Sequence, residues 1–350
     1  MTKIAVYAIA LNEEKHVARW HESTQEADLH LIADTGSTDR TIEIARDRGI
    51  ELHQITVNPW RFDTSRNAAL ALLPADIDIC VPLDLDEVMV PGWRAGLERE
   101  FAKGVTRPRY EYVFNWNTDG TPHVSFFASK IHARHGYLWQ HPIHEIPTIK
   151  APFVEIESYN PDIVMHHRPD PTKSRGSYLD LLIRAVAEDP HSARMSFYAG
   201  RELMFHKRYP EATKELTRYL EMPGAGWRPE RAHTCRYLAK TDAANAEFWL
   251  TRAIAEWTSR EALAERAQFY YGTKQWPQCL DDARAGMKIT SQADYQKEGW
   301  AWGSVLPDLG SVAAFNMNRR AEALDLAEQA AALSPGDERI AANLKLLKAT

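Results

Sequence analysis

The 350-residue chain has little cysteine, no long apolar run and no excess of basic charge. Cys80, Cys235 and Cys279 are too few and too scattered for a disulfide framework, and none has the spacing of a zinc ligand. Such cysteine usage points to the cytoplasm. No run of about 18 apolar residues occurs, so no transmembrane helix is expected. The opening MTKIAVYAIALNEE turns acidic after a short apolar stretch and lacks the small-residue cleavage site of a secretory leader. It reads as a buried strand. The net charge of −6 argues against a nucleic-acid partner held mainly through its phosphates. What is present is 44% apolar and 26% charged, an ordinary globular composition that excludes disorder over most of the chain. At roughly 150 residues per domain, the length suggests two or three domains.

The composition divides near residue 172. Residues 1–172 hold 17 basic and 25 acidic side chains, a balance of −8; residues 173–350 hold 25 and 23, a balance of +2. Eleven of the 14 histidines precede residue 168. The halves are therefore read as two domains, 1–172 and 173–350.

The first half alternates strands and helices. KIAVYAIAL (3–11) is a continuous apolar run suited to a strand covered on both faces. NEEKHVARWHEST follows with helical spacing at Val17 and Trp20. LHLIAD (29–34) is a second strand, TGSTD a polar turn, RTIEIARDRG a helix closed by Gly49, and 50–57 a third strand. SRNAALALL makes a helix, and IDICVPLDLDE a fourth strand ending in acids. This alternation predicts an α/β domain with a mainly parallel sheet, in which ligands bind beyond the carboxyl ends of the strands. Polar clusters fall at three such ends: Asn12 to Glu14, Asp34 to Asp39, and Asp84 to Glu87.

The second half carries a degenerate repeat. Ala212, Ala246, Cys279 and Ala323 recur at intervals of 34, 33 and 44, and Tyr219, Ala253, Gly286 and Ala330 stand seven positions after them. Gly200 and Ala267 precede the first and third, and Pro335 follows the last. The rhythm is similar to the tetratricopeptide pattern of two helices per unit and predicts an all-α array. The long last interval holds SQADYQKEGWAWGSVLPD, with Trp300 and Trp302. Insertions in helical arrays tend to fall on one face, often the binding face, which makes this one a candidate binding surface or dimer contact; core packing of the two tryptophans is the simpler alternative.

Asp84-Leu85-Asp86 would put two carboxylates on one side of a strand. Two hard oxygen ligands there suit Mg²⁺ or Mn²⁺, which take few protein ligands and complete their shell with phosphates and water. A second chemical region is His141-Pro142-Ile143-His144-Glu145. Read as an extended strand, it sends His141, Ile143 and Glu145 one way and His144 the other. Trp60, Trp116 and Trp139 invite a ligand-stacking role, but core packing is the preferred reading.

The succession ALNEE, IADTGSTDRT, SRNAAL and VPLDLDE resembles the family 2 glycosyltransferases of the GT-A fold, with the DxD motif among its main marks. The resemblance covers roughly residues 3–170. GYLWQHPIHEIP and IVMHHRP look like the branch that includes lipopolysaccharide-core sugar transferases and peptide S-glycosyltransferases, some of which carry tetratricopeptide-like tails.

The resemblance implies an inverting, metal-dependent transfer of a sugar from a nucleotide-sugar donor, most simply a UDP-sugar. It implies roles for individual residues. Asn12 and Glu13 would lie along the uridine. Asp34 would contact base or ribose, and Gly36 and Ser37 would let the backbone approach the nucleotide. Arg66 and Asn67 match the family's RN pair, with Arg66 a charge partner for phosphate or for Asp34. Asp84 would contact ribose or metal, and Asp86 would coordinate the metal on the diphosphate. His166, preferred over His167, would complete the metal shell. The general base would be Glu145, with His144 or Asp119 in reserve; Glu145 could instead pair structurally with Arg134 or Arg168. The acceptor stays open among a glycan, a peptide, a metabolite and a modified DNA base. The alternative is an inactive transferase-like scaffold that recruits partners through its helices. A nucleotidyltransferase ranks lower, since its Gly-rich phosphate loop is missing near the start of the chain.

Overall fold

The computed structural model describes residues 2–170, 178–291 and 295–349. The chain forms two compact units, residues 1–185 and 186–350. The connector TKSRG and its flanks, where the composition changes, fall in 171–177, outside the described residues.

In the first unit, elements follow in the order β1 (Ile4–Ala10), α1 (Val17–Ser23), β2 (Leu29–Asp34), α2 (Thr41–Asp47), β3 (Glu51–Gln54), α3 (Phe62–Leu72), β4 (Ile79–Pro82), β5 (Glu87–Met89) and α4 (Trp93–Ala102). Then come β6 (Arg107–Trp116), β7 (Pro122–Ala128), β8 (His132–Ala133), β9 (Tyr137–Gln140), β10 (Ile146–Ile149), β11 (Glu157–His167) and α5 (Tyr178–Glu188). The unit boundary falls within α5.

One sheet runs β3-β2-β1-β4-β8. Its first four strands are parallel, and the two-residue β8 adds antiparallel to β4. β1 is apolar without alternation because both its faces are covered. Ile4, Val6, Ala8 and Ala10 enter a core with Trp20 and Trp93. Ala5 and Tyr7 enter the opposite core with Leu31, Leu70 and Trp139. A second sheet holds β7-β6-β11-β5 in that order. β11 runs parallel to β6 with a register shift between Asn160 and Val164, and it meets β5 antiparallel at His167 and Glu87.

Two sequence expectations change. The fourth strand ends at Pro82, and Asp84 to Asp86 form a turn, closed by Glu87 N–H donating to the Asp84 carbonyl at 2.8 Å. The carboxylates are thus presented by a turn and not by strand alternation. Residues 141–145 are likewise no strand. They form the loop between β9 and β10, with His141 and His144 at φ of 80° and 51°.

The second unit is helical: α6 (Ala193–Phe205), α7 (Tyr209–Glu221), α8 (Arg228–Thr241), α9 (Ala246–Glu256), α10 (Arg260–Gly272), α11 (Trp276–Met287), α12 (Val305–Asn316), α13 (Arg320–Leu333) and α14 (Glu338–Ala349). Each packs on the next, and α6, α8, α10 and α12 also touch in turn, a stacked array of helix pairs. The recurring small residues mark close approaches. A Cβ on Gly200 would meet Leu216 at 2.6 Å, and one on Gly286 would meet Leu306 at 2.6 Å. Ala212, Cys279 and Ala323 are fully buried, whereas Ala246, at the start of α9, is only half-buried.

Candidate active site

Four parallel strands deliver their carboxyl ends to one edge of the first sheet, and the polar clusters follow them there. Beyond β1, Asn12 adopts a left-handed φ of 55°. Its N–H donates to Ser37 Oγ at 2.9 Å, and its Oδ1 accepts from Thr38 N–H at 2.8 Å. Glu13 N–H donates to Thr41 Oγ1 at 2.7 Å. Asn12, Glu13 and Ser37 therefore lace the β1 loop to the β2 loop.

Asp34 ends β2 and is fully buried. Its Oδ2 accepts from Gly36 and Ser37 N–H, both at 3.0 Å, a turn that needs Gly36 at φ 114°. Its Oδ1 is buried with no hydrogen-bond partner among the described residues. A buried carboxylate oxygen left bare is costly unless something supplies a donor.

Arg66 lies on the buried face of α3, 3% exposed. Its Nη2 donates to Asp84 Oδ1 at 2.7 Å and its Nε to Glu145 Oε1, and its guanidinium rests over Trp139 at 5.0 Å. Arg66 thus partners Asp84 and Glu145, and not Asp34 as the sequence suggested. Glu145 pairs with Arg66 in place of Arg134 or Arg168. Arg134 donates to the carbonyls of Leu73 and Pro74, and Arg168 stacks on Trp116 at 3.7 Å. Both polar atoms of Asn67 bind the Trp139 backbone, at 2.8 and 2.9 Å, so Asn67 holds β9.

The Asp84 turn is dense with charge. Lys130, in the connector between β7 and β8, sets its ammonium 3.5 Å from Asp84 Oδ2 and 3.4 Å from Glu87 Oε1. Glu87 is buried and also accepts from Asp84 N–H at 2.9 Å and from Tyr112 OH at 2.7 Å. Burial opposes the charge on Asp84, but Arg66 and Lys130 hold its carboxyl well below the usual range. Burial pushes the Glu87 carboxyl up, against the pull of Lys130.

Asp86 meets His167, whose Nε2 lies 3.2 Å from Asp86 Oδ2, while Nδ1 lies 2.9 Å from the Phe114 carbonyl. Burial disfavours the charged ring, yet the bond and charge of Asp86 raise the His167 pKa above its ordinary value. His166 points to the other face, edge-on to Trp116 at 4.7 Å. The histidine beside Asp86 is therefore His167 and not His166, because adjacent residues of β11 face opposite ways. Asp119 sits at the tip of the β6–β7 hairpin. Its Oδ1 accepts from Thr121 N–H and Oγ1, which lowers its pKa and spends it on its own turn. His144 adjoins Glu145 in the β9–β10 loop.

Among the described residues no three His, Cys, Asp or Glu side chains form a ready metal cage. The donor set still suits a hard divalent cation of low protein coordination. Asp84 and Asp86 keep 32% and 29% of their side-chain surface exposed.

Lys130, Tyr112 and His167 complete this cluster but were not singled out, or not preferred, from sequence. The acids were legible as a motif, whereas Lys130 reaches them only through the pairing of β8 with β4.

No family model matches the chain, and no curated protein matches it. Solved structures are similar to parts of it. YrrB, described as a TPR protein with an unusual peptide-binding site, is 17% identical over 49% of this chain and 83% of its own, with a TM-score of 0.38. PilF of Pseudomonas aeruginosa is 19% identical over 49% of this chain and 72% of its own, also at 0.38. Glucosyl-3-phosphoglycerate synthase from Mycobacterium tuberculosis, solved with Mn²⁺, UDP and glucosyl-3-phosphoglycerate, is 24% identical over 32% of this chain and 44% of its own, with a TM-score of 0.28.

Proposed function

We propose that this chain is a glycosyltransferase that moves a sugar from a nucleotide-sugar donor, in the simplest case a UDP-sugar, to an acceptor, with inversion. The observation that carries the reading is the row of carboxylates along the carboxyl edge of the parallel strands: Asp34 with a bare buried oxygen after β2, and Asp84 and Asp86 in the turn after β4. A strand-edge crevice is where such sheets bind ligands. Asp34 Oδ1 accepts from the base or ribose of the donor. The laced loops at Asn12 and Ser37 shape the nucleotide pocket.

Asp84 and Asp86 would hold Mn²⁺ or Mg²⁺, with His167 orienting the Asp86 carboxylate. Bound there, the ion would act as a Lewis acid toward the leaving diphosphate. Arg66 keeps Asp84 ionised and aimed. Of the base candidates, Glu145 is joined to this cluster through Arg66, whereas Asp119 is bound to its own turn. Glu145 takes the proton of the acceptor nucleophile as the sugar departs. The acceptor class is a glycan, a peptide, a metabolite or a modified base.

The test is a melting-temperature screen of nucleotides and sugar nucleotides with and without Mn²⁺, followed by donor hydrolysis. A bound donor at a hundredfold excess over its dissociation constant stabilises by about 2.7 kcal/mol. Asp86→Ala is expected to abolish turnover and the Mn²⁺ effect on nucleotide binding while the fold stays intact. Near-normal turnover in that variant, or full wild-type activity in chelator, would falsify the metal assignment.

A further inference from the structure

Lys130 belongs to no sequence motif, yet its ammonium lies between two carboxylates of the acidic turn. Its position is built in. The next residue, Ile131, is fully buried in the core. The preceding Ser129 carbonyl accepts from Arg107 Nε at 2.8 Å, and Ala133 N–H donates to the Thr106 carbonyl at 2.8 Å. The connector is thus anchored on both sides of the lysine.

Both oxygens of Asp84 are already engaged, Oδ1 by Arg66 and Oδ2 by Lys130. Arg66 is also bound to Glu145 and packed over Trp139, so it cannot leave cheaply. Lys130 is freer: its side chain is 28% exposed against 4% for Arg66, on a flexible stem.

We propose that Lys130 is a resident counter-ion of the Asp84–Glu87 turn, which keeps the free protein's affinity for a bare divalent cation low and swings to the donor diphosphate when cation and nucleotide arrive together. This rests on the functional reading above. A cation alone must displace an ammonium and place two like charges within a few ångströms of each other. A cation accompanied by a diphosphate brings a new anionic partner for the lysine, so the repulsion is relieved. Lys130 is thereby a positioning residue for the leaving group as well as a gate on the metal.

The experiment titrates Mn²⁺ alone, and then Mn²⁺ with UDP, into the full chain while free Mn²⁺ is followed by its paramagnetic resonance signal. Wild type is expected to bind Mn²⁺ weakly alone and much more tightly with UDP. Lys130→Met is expected to bind Mn²⁺ alone about tenfold more tightly than wild type and to lose most of the gain from UDP. Lys130→Arg, which keeps the charge, should behave like wild type. Since Lys130→Met strips Glu87 of its cation, its fold is checked by circular dichroism; Lys130→Gln, which can still hydrogen-bond Glu87, carries the same expectation. If wild type takes Mn²⁺ with UDP but neither neutral variant tightens on Mn²⁺ alone, this inference falls and the function stands. If wild type takes no Mn²⁺ even with UDP, the metal-dependent function falls and this inference with it.

Discussion

Among the described residues, each unit buries an arginine between two carboxylates, and the two arrangements diverge in what they leave open. In the first unit Arg66 joins Asp84 and Glu145. In the second, Arg236 on α8 grips Glu265 of α10 through two bonds of 2.9 Å and donates to Glu298 at 2.7 Å. Arg236 and its partners are closed in. Glu265 also takes Lys240 at 2.9 Å, the two acids are 10% and 18% exposed, and the Glu298 carboxyl, despite burial, is held down to about 2 by Arg236 and His233. Arg66 instead sits where strands end. Asp84 keeps a third of its surface exposed, Asp86 lies two residues on, and Asp34 keeps a bare oxygen. The same ion-pair chemistry seals a helix stack in one place and, in the function we propose, primes a ligand edge in the other. Neither a buried arginine nor a bare buried atom separates the two, since Glu261 Oε2 and His233 Nδ1 near Arg236 also lack a partner among the described residues; the difference is the exposure of Asp84 and Asp86 at the strand ends.

The contrast breaks most sharply at Glu145. Glu145→Gln keeps the shape and one hydrogen-bonding oxygen for Arg66 but removes the proton acceptor, and turnover should fall by about 10²–10⁴ with donor binding nearly unchanged. Should the variant retain more than a tenth of wild-type turnover, the base passes to His144 or Asp119, and Glu145 becomes a partner like Glu265. Arg236→Met tests the other arm. Breaking a buried pair while leaving its acids in place costs about 3–5 kcal/mol, so chemical denaturation should show a large loss of stability. Donor hydrolysis per folded molecule should not change; a selective loss of hydrolysis would show that the helical unit is not merely structural.

A smaller effect is expected at the insertion. Trp302 packs against the core of α10 to α13 and donates its indole N–H to Glu261 at 2.8 Å, and Trp300 donates to Glu298 at 2.7 Å. Trp302→Ala should lower stability by about 2 kcal/mol, below the cost for a fully buried tryptophan. Reduced acceptor use, or a change from dimer to monomer, with an unchanged melting temperature would move this residue from packing to function.

A last effect, absent at neutral pH, appears in acid. His132 is fully buried, 2.8 Å from the Ala133 carbonyl and 3.3 Å from Tyr7 OH, and burial pushes its pKa from 6.5 down to about 4. Between those values the unfolded chain takes up a proton that the fold refuses. The folded state therefore loses stability as pH falls through this window and keeps it above. Melting temperatures across that range should slope less in His132→Gln than in wild type. Equal slopes would mean that another group carries the acid sensitivity.

Much of the first sheet was legible because its strands are buried on both faces. A continuous apolar run such as 3–11 has few other fates, and the polar cluster after it had to lie at a strand end. The acidic turn was legible as chemistry but not as geometry, since alternation continued on paper past Pro82 where the chain turns. The 141–145 segment misled for the same reason: its alternation is real, but two left-handed residues make it a loop. In the helical unit, glycine and alanine at fixed spacing marked the close helix contacts, because only small residues fit there.

The sequence by itself determined the parallel strand edge, the presence of Asp34, Asp84 and Asp86 along it, and the helical array. Periodicity and apolar burial act locally and leave a pattern in the chain. Only the tertiary structure decided which partner each charge takes. Arg66 reaches Glu145, Lys130 reaches Asp84 and Glu87, and His167 reaches Asp86 across long stretches of chain. Such pairings follow from which elements fold side by side. A charge finds its partner through space, within about 4 Å, and the order of residues records no such distance.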